Sequence, residues 1–378
     1  MCVKIAVDIE ERIMLFRCDG LDLSEAVNKV LKAVSSKTVS PILEGIKISA
    51  VGDTVILTGT DLELSIQKTI KAEVIDEGET VVPGKLFGEY LRKLTNEQIS
   101  LELNERNQLR ISYADSEGFI QCMDVVEFPE LKNVDKTEYF EINQTVLKNL
   151  INTVIFAVAV DDSKPILKGV LIEVEGENVR AVALDGFRMA MSNQKIVNST
   201  SNFTMVVPAR SLCEISRMLD RDENVKVYVH SNNLMVDMVD TVIITRLLEG
   251  KYINYRQILD SNFNTTITIK KSQLEDAIDR ASLLSKGDKN SRVKFDITEN
   301  SLVLTSDSEI GNVKENIPVS MKGADIIIAF NSKYFTDCLR SCEDEYIKIN
   351  FSSAISHCIV TPSESDEYLF LILPVRMV

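Results

Sequence analysis

One sentence of residues is written three times along this chain, and that repetition limits its possible architectures. Pro165-Ile-Leu-Lys-Gly-Val-Leu-Ile-Glu-Val leads through Glu175-Gly-Glu-Asn178 into Val-Arg-Ala-Val-Ala-Leu-Asp-Gly-Phe-Arg-Met-Ala190. Pro41-Ile-Leu-Glu-Gly-Ile-Lys-Ile-Ser leads through Gly52-Asp53 into Val55-Ile-Leu-Thr-Gly-Thr-Asp-Leu-Glu-Leu64, with Pro41 and Asp61 each 124 residues before Pro165 and Asp185. A fainter copy runs from Arg292-Val-Lys-Phe-Asp through Glu299-Asn300 to Leu302-Val-Leu-Thr-Ser-Asp307. Two β-type runs around a Gly/Asn turn predict a hairpin. Units this long are domains of one design, not turns of a solenoid.

The flanking segments repeat in the same order. Leu23, Ala26, Val27, Val30, Leu31 and Val34 keep helical spacing, as do Leu86, Phe87, Tyr90, Leu91 and Leu94 after Thr80-Val-Val-Pro83. Val146, Leu147, Leu150, Ile151 and Val154, then Leu212, Ile215, Met218 and Leu219 after Met205-Val-Val-Pro208, give the second pair. Leu274, Ala277, Ile278, Ala281 and Leu284, then Tyr334, Phe335, Cys338 and Leu339, give the third. Short alternating strands fill the intervals. The predicted domains are 1–135, 136–262 and 263–378, with 1–13 as an extension ahead of Met14.

Most enzyme classes lack their residues here. His230 and His357 are the only histidines, and neither sits beside a nucleophile motif. No Gly-rich phosphate loop and no His-Glu-x-x-His occurs. Asp161-Asp162 and Asp220-Arg-Asp222 are the candidates for a hard cation, and loop pairs of this kind are ordinarily solvated. Cys338 and Cys342 lie one helical turn apart without the further ligands of a structural zinc site. No cofactor and no metal is expected. The seven scattered cysteines suit reduced thiols in a cytoplasm, Met1 to Ile13 lack the apolar core of a signal peptide, and no apolar run reaches the 18 residues of a membrane span.

The net charge is −15, which at long range repels phosphate. Its distribution is uneven. The six helical windows 21–37, 84–94, 143–160, 208–221, 270–286 and 331–342 are all net positive, +2 for the second and +1 for each of the others. The rest of the chain therefore carries −22. Glu forms helices as well as Lys or Arg, yet it is outnumbered in every window. A surface lined by these helices would accept phosphate while the exterior rejects it. No aromatic stacking platform for single strands is evident, so duplex contact independent of sequence is the better match.

These residues resemble the bacterial DNA polymerase III β subunit family from about Met14 to the end. The carrying motifs are Ser40-Pro-Ile-Leu, Leu57-Thr-Gly-Thr-Asp-Leu-Glu, Ala183-Leu-Asp-Gly-Phe-Arg-Met189, Val207-Pro-Ala-Arg210, Glu249-Gly-Lys-Tyr-Ile-Asn-Tyr-Arg256 and Leu373-Pro-Val-Arg-Met377. The resemblance implies an α+β fold of three tandem clamp-type domains, each with two helices packed on antiparallel sheets, assembling as a head-to-tail dimeric ring. It implies a non-catalytic sliding clamp that encircles duplex DNA in the cytoplasm, associated with the nucleoid. Its expected partners are the polymerase III catalytic subunit, the clamp loader and other clamp-motif proteins. The competing reading is a peptide-binding scaffold of the same fold without topological DNA binding.

By position, the resemblance implies a partner-peptide cleft at Leu167, Leu184, Gly186, Phe187, Arg188, Met189, Ile253, Gln257, Ile258, Asn331, Tyr334, Ile355, His357, Leu371, Ile372, Leu373, Pro374, Val375 and Arg376. Phe187 and Gln257 stand where polar or basic residues are frequent, Ile253 replaces a common proline, and Val378 is one extra residue. The implied dimer interface is Phe119 on one side with Leu283 and Leu284 on the other. The net-positive helices, together with the loops and helix ends near the expected hole that carry Lys37, Lys164 and Lys286, offer Lys37, Lys85, Arg92, Lys93, Lys148, Lys164, Arg210, Arg217, Lys286 and Arg340 as DNA-facing candidates.

Overall fold

A computed structural model describes residues 12–35, 40–94, 98–259, 262–284, 291–308 and 311–376. Each repeat contributes two long helices. They are α1 (Gly20–Val30) and α2 (Gly84–Leu91), then α3 (Gln144–Val154) and α4 (Ala209–Met218). A short α5 (Arg256–Leu259) precedes α6 (Lys271–Leu284) and α7 (Ser332–Arg340). The two long helices of each repeat pack on one another.

The helix starts are encoded locally. The Asp19 carboxylate accepts from the Leu21 and Asp22 amides ahead of α1, and the Asn143 side chain accepts from Thr145 and Val146 ahead of α3. These caps satisfy amides that have no partner within the helix. The stripes Leu23, Ala26, Val27, Val30 and Leu274, Ala277, Ile278, Ala281 are buried as the spacing requires. Removing each Leu or Val of this kind from water is worth about 1.5–3 kcal/mol.

By contacts, the chain divides into two compact units. The first comprises residues up to Tyr139 together with Val225–Arg246. It holds a five-stranded antiparallel sheet in the order Glu73–Asp76, Arg12–Asp19, Gln98–Asn104, Gln108–Tyr113, Ser116–Gln121. A second run follows the order Asn233–Asp237, Thr241–Arg246, Leu64–Lys71, Thr54–Thr60, Gly45–Val51, Gly78–Pro83. Here Thr241–Arg246 of the second repeat pairs with Leu64–Lys71 of the first, Thr245 opposite Leu64.

The second unit comprises Phe140–Asn224 and Leu247 onward. Its nine-stranded sheet runs Phe203–Pro208, Gly169–Glu175, Asn178–Leu184, Arg188–Lys195, Tyr368–Ile372, Cys358–Pro362, Tyr346–Phe351, Thr265–Lys270, Ser320–Gly323. A four-stranded sheet runs Gly311–Pro318, Ser301–Ser308, Arg292–Thr298, Ile326–Asn331. Tyr368–Ile372 of the third repeat pairs with Arg188–Lys195 of the second, Ile372 opposite Arg188. The repeats are thus joined by strand pairing, and that pairing is why the contact division cuts through the second repeat.

Single hydrogen bonds reproduce the repetition. The Met123 amide donates to the Val81 carbonyl at 2.7 Å, Leu248 to Val206 at 2.9 Å and Val375 to Ala329 at 2.8 Å, each acceptor three residues before a helix start. Three sequence expectations shift. The prolines expected to open hairpins instead open one-turn 3₁₀ helices, Pro41–Glu44 and Pro165–Lys168. Proline has a fixed φ and no N–H to give a ladder, so the strands begin only at Gly45 and Gly169. The first helix ends at Val30 and tightens into Leu31–Ala33, and the first strand already includes Arg12 and Ile13.

Gly59 sits where the strand Thr54–Thr60 passes under α1. A Cβ there would lie 2.8 Å from both the Val30 carbonyl oxygen and Val30 Cγ1. The backbone oxygen cannot turn aside, so Gly59→Ala should destabilise the first unit by about 1–3 kcal/mol. A thermal unfolding midpoint unchanged in G59A would contradict this packing.

Candidate functional site

The floor of the expected cleft is an apolar cluster inside the second unit. Leu167, Leu184, Met189 and Leu371 are buried together with Leu171, Val182 and Tyr255, and Ile253 packs against them half-buried. Alternation along two paired strands creates this floor. Met189 and Leu371 are register partners, so both project to one face. Arg188 and Ile372 are also partners and project to the other. The structure therefore separates Ile372, which is buried at 1% exposure, from the floor it was expected to join.

The rim begins at Asp185. Its Oδ1 accepts from the Phe187 amide at 2.8 Å and the Arg188 amide at 3.0 Å, closing a tight turn. Gly186 takes φ +92° within it, a conformation that favours glycine. The turn exposes Phe187, whose ring lies 6.1 Å from that of Tyr334 with 21° between their planes. Tyr334 is on α7, and burial together with the Asp185 charge pushes its phenol upward. The Phe187 carbonyl accepts from the Leu373 amide at 2.9 Å, which fixes where the tail leaves the sheet. Pro374 and Val375 are half-buried beyond it.

Arg188 supports this rim from behind. Its Nε donates to Asp185 Oδ2 at 3.0 Å and its Nη1 to Asp337 Oδ2 at 2.6 Å. The guanidinium carbon lies 4.8 Å from the Tyr334 ring centre and 5.3 Å from that of Phe156. Only 10% of the side chain is exposed. Two carboxylates and two ring faces thus compensate one buried cation.

The remaining expected cleft residues are spread around this core. Gln257 and Ile258 are exposed on α5. Ile355 is 89% exposed in the loop before Cys358–Pro362, while His357 beside it is half-buried and burial holds its imidazole below the ordinary value. Asn331 spends its side-chain oxygen on the Lys333 amide as the cap of α7. Arg376 is exposed, and its carbonyl accepts from Arg292.

The matches with known proteins cover all of these elements. The N-terminal, central and C-terminal domains of the DNA polymerase III beta subunit match residues 14–132, 141–254 and 256–376. The chain belongs to the β sliding clamp family. The beta sliding clamps of Staphylococcus epidermidis and Staphylococcus aureus are each 32% identical over 361 residues, spanning 93% of this chain and 96% of theirs. The DNA polymerase sliding clamp from Bacillus subtilis superposes with a TM-score of 0.94 at 31% identity, covering 97% of this chain and all of that one. The fold is three tandem clamp domains, and the protein is a DNA sliding clamp of replication and not an enzyme.

In this clamp the basic candidates differ in availability. Lys85, Arg92, Lys93, Lys164, Arg210, Arg217 and Arg340 are exposed. Arg217 Nη1 is 2.5 Å from Glu214 Oε1, and Arg92 Nε donates to the Gly88 carbonyl at 3.2 Å. Lys148 is half-buried and donates to the Leu219 carbonyl at 3.0 Å, where it complements the negative end of α4. Lys37 and Lys286 lie outside the described residues. Phe119 is 56% and Leu283 58% exposed; the Leu284 side chain also falls outside the described part.

Sequence reasoning missed Asp337, Phe156 and the role of Asp185. Asp185 had a signal, because Asp61 holds the same place in the first repeat. Asp337 and Phe156 had none, since they meet Arg188 only through the fold. Arg188→Ala would leave two carboxylates facing each other in a half-dry site. We expect a loss of about 3–5 kcal/mol, typical of breaking a buried pair by removing one partner. Arg188→Lys should recover only part, because an ammonium cannot span both carboxylates or stack flat on Tyr334. Calorimetric unfolding of the two variants would check the order wild type, Lys, Ala.

Proposed function

We propose that this chain closes with a second copy into a head-to-tail ring, holds duplex DNA by enclosure and tethers partner proteins through the cleft around Leu184, Met189, Tyr334 and Leu373. The domains that do so are 1–135, 136–262 and 263–378, and the setting is the cytoplasm at the nucleoid. The carrying observation is the pairing of strands between repeats. Thr241–Arg246, the last strand of its half-sheet, is met by Leu64–Lys71, and Tyr368–Ile372 by Arg188–Lys195. By the same rule Ser116–Gln121 and Gly311–Pro318 are left without a neighbour on one side among the described residues. Pairing one copy's Ser116–Gln121 with the other's Gly311–Pro318 repeats the internal seam between molecules. It satisfies both edges, and a heterologous contact of this kind closes when the rotation is right.

Phe119 lies on one of these edge strands, and Leu283 lies on α6, which packs against the other. Replacing both with Glu should yield monomers in sedimentation; a double variant that remains dimeric would remove this interface.

The net-positive helices supply phosphate contacts without fixed base-reading geometry. Equilibrium binding to open duplex should be weak and salt-sensitive. Enclosure avoids that weakness, because release then requires opening an interface or reaching a DNA end. Loading on nicked circular DNA with a clamp loader, followed by cutting the circle, tests this directly. Retention should survive moderate salt on the circle and vanish after cutting. Equal, salt-sensitive retention on both forms would mean ordinary electrostatic binding. The cleft supplies apolar burial for short linear peptides with Leu and Phe anchors, and the exposed Phe187 ring with its Tyr334 neighbour offers an aromatic wall.

A further inference from the structure

A buried carboxylate lies at the far end of the apolar floor and takes no part in the contacts of the rim. Glu173 is on the strand Gly169–Glu175 and pairs with Arg180 of Asn178–Leu184. Alternation puts both on the face that carries Leu171, Val182 and Leu184, which is the face of the floor. Only 10% of the Glu173 side chain is exposed. Its Oε2 accepts from the Tyr255 hydroxyl at 2.6 Å and from Arg256 Nη2 at 3.0 Å. Arg180 Nη1 donates to the same hydroxyl oxygen at 3.3 Å, and Arg180 Nε donates to Asn193 Oδ1 at 2.7 Å. The Arg256 guanidinium carbon lies 5.0 Å from the Tyr255 ring centre. Burial first, then the Glu173 hydrogen bond, push the Tyr255 phenol upward, so it stays a donor near neutral pH.

These contacts hold the segment that lies over the floor. Tyr255 is a buried member of the cluster that contains Met189 and Leu371, and Leu248, Tyr252, Ile253 and Leu259 pack against it half-buried. The Ile258 amide donates to the Tyr255 carbonyl at 2.9 Å. With four residues, α5 has little stability of its own, so its place depends on Tyr255 and Arg256 at its start. The first repeat offers a comparison. Ser49, Ile56 and Leu131 stand 124 residues before Glu173, Arg180 and Tyr255, and they cannot build this network. Ser49 Oγ donates instead to Glu79 Oε2 at 3.5 Å. There the matching segment is held by apolar packing of Phe128 on Ile42, Leu43 and Val81. Joining two repeats therefore does not by itself call for a buried charge, and the network stands only where the cleft floor adjoins it.

We propose that Glu173 is a positioning residue for partner binding: by holding Tyr255 and Arg256 it fixes α5 as a wall of the cleft, so that Ile258 meets a partner peptide in a set place. The inference rests on reading the floor around Met189 and Leu371 as a peptide site. Glu173 is too buried to meet the peptide and acts through α5. Without it the wall must be ordered as the peptide binds, and that ordering lowers affinity.

The probe is the capped pentapeptide N-acetyl-Ala-Leu-Ala-Leu-Phe-amide, titrated by calorimetry into the full-length protein. Glu173→Gln keeps the size and an acceptor for Tyr255 while removing the charge that holds Arg256. It should weaken the probe about tenfold, the scale of ordering one or two side chains on binding. Ile258→Ala should weaken the probe in the wild type and have little further effect in E173Q, where the wall is already displaced. A merely structural role for Glu173 would instead give additive losses. Equal losses from I258A in both backgrounds, or no loss in the wild type, would overturn the proposal. A second readout needs no ligand. Hydrogen exchange at the Ile258 amide of the free protein should quicken about tenfold in E173Q, while the Leu371 amide in the seam strand keeps its rate. Unchanged exchange at Ile258 would also overturn the proposal. If E173Q does not fold, Arg256→Met replaces it, since that side chain is 53% exposed, and both readouts should move the same way with smaller amplitude. A wild type that fails to bind the probe, with Ile258 exchange responding as expected, would sink the cleft reading and leave the hold of Glu173 on α5 standing.

Discussion

Antiparallel pairing across the seams is the constraint on which the rest of this clamp depends. A sheet edge carries a row of amides and carbonyls that must find partners or stay wet. In this chain the last strand of one repeat's half-sheet meets the last strand of the preceding repeat's other half. The register is set to single residues: Thr245 opposite Leu64, Ile372 opposite Arg188. A slip by one residue would turn Met189 and Leu371 away from their common cluster. The seam therefore determines more than cohesion. It sets which side chains are presented beside it, and the proposed peptide cleft arises at the turn that ends a seam strand.

At the proposed cleft, the atoms that hold the fold are also those that would meet a partner. Arg188 is too buried to serve as a free surface cation, and its two carboxylates and two aromatic faces make burial tolerable. Through those contacts it ties the turn at Asp185 to α7, so the Phe187 and Tyr334 rings are held before any partner arrives. Preorganisation of that kind lowers the ordering cost of binding. The apolar floor beneath would contribute burial to a bound peptide, and the turn and the tail hydrogen bond of Leu373 fix the shape of the rim.

Charge follows a separate logic. The six helical windows are each net positive, while the rest of the chain carries −22 and repels phosphate at long range. Not every basic helix residue is free for phosphate. Lys148 closes the C-terminal end of α4, and Arg217 is engaged by Glu214. Diffuse charge is adequate for enclosure, which asks only that DNA be attracted weakly and allowed to move.

The sequence by itself determined the triplication, the six long helices, the apolar stripes they bury and the sign of their charge. Those properties are local or periodic, and periodicity survives without knowledge of neighbours. Pro41 and Pro165 were legible as boundaries but not as 3₁₀ turns, because the missing N–H shows its effect only once the adjoining ladder is known. The resemblance supplied the outline of the cleft, and the Leu184, Met189 and Leu371 floor is visible in it as apolar strand residues. Only the tertiary structure decided that Ile372 turns away from that floor and that Arg188 is a buried strut between Asp185 and Asp337. Each depends on strand register between segments over a hundred residues apart, or on α7 folding against a distant turn. Contacts of that range leave no periodic trace in a single chain.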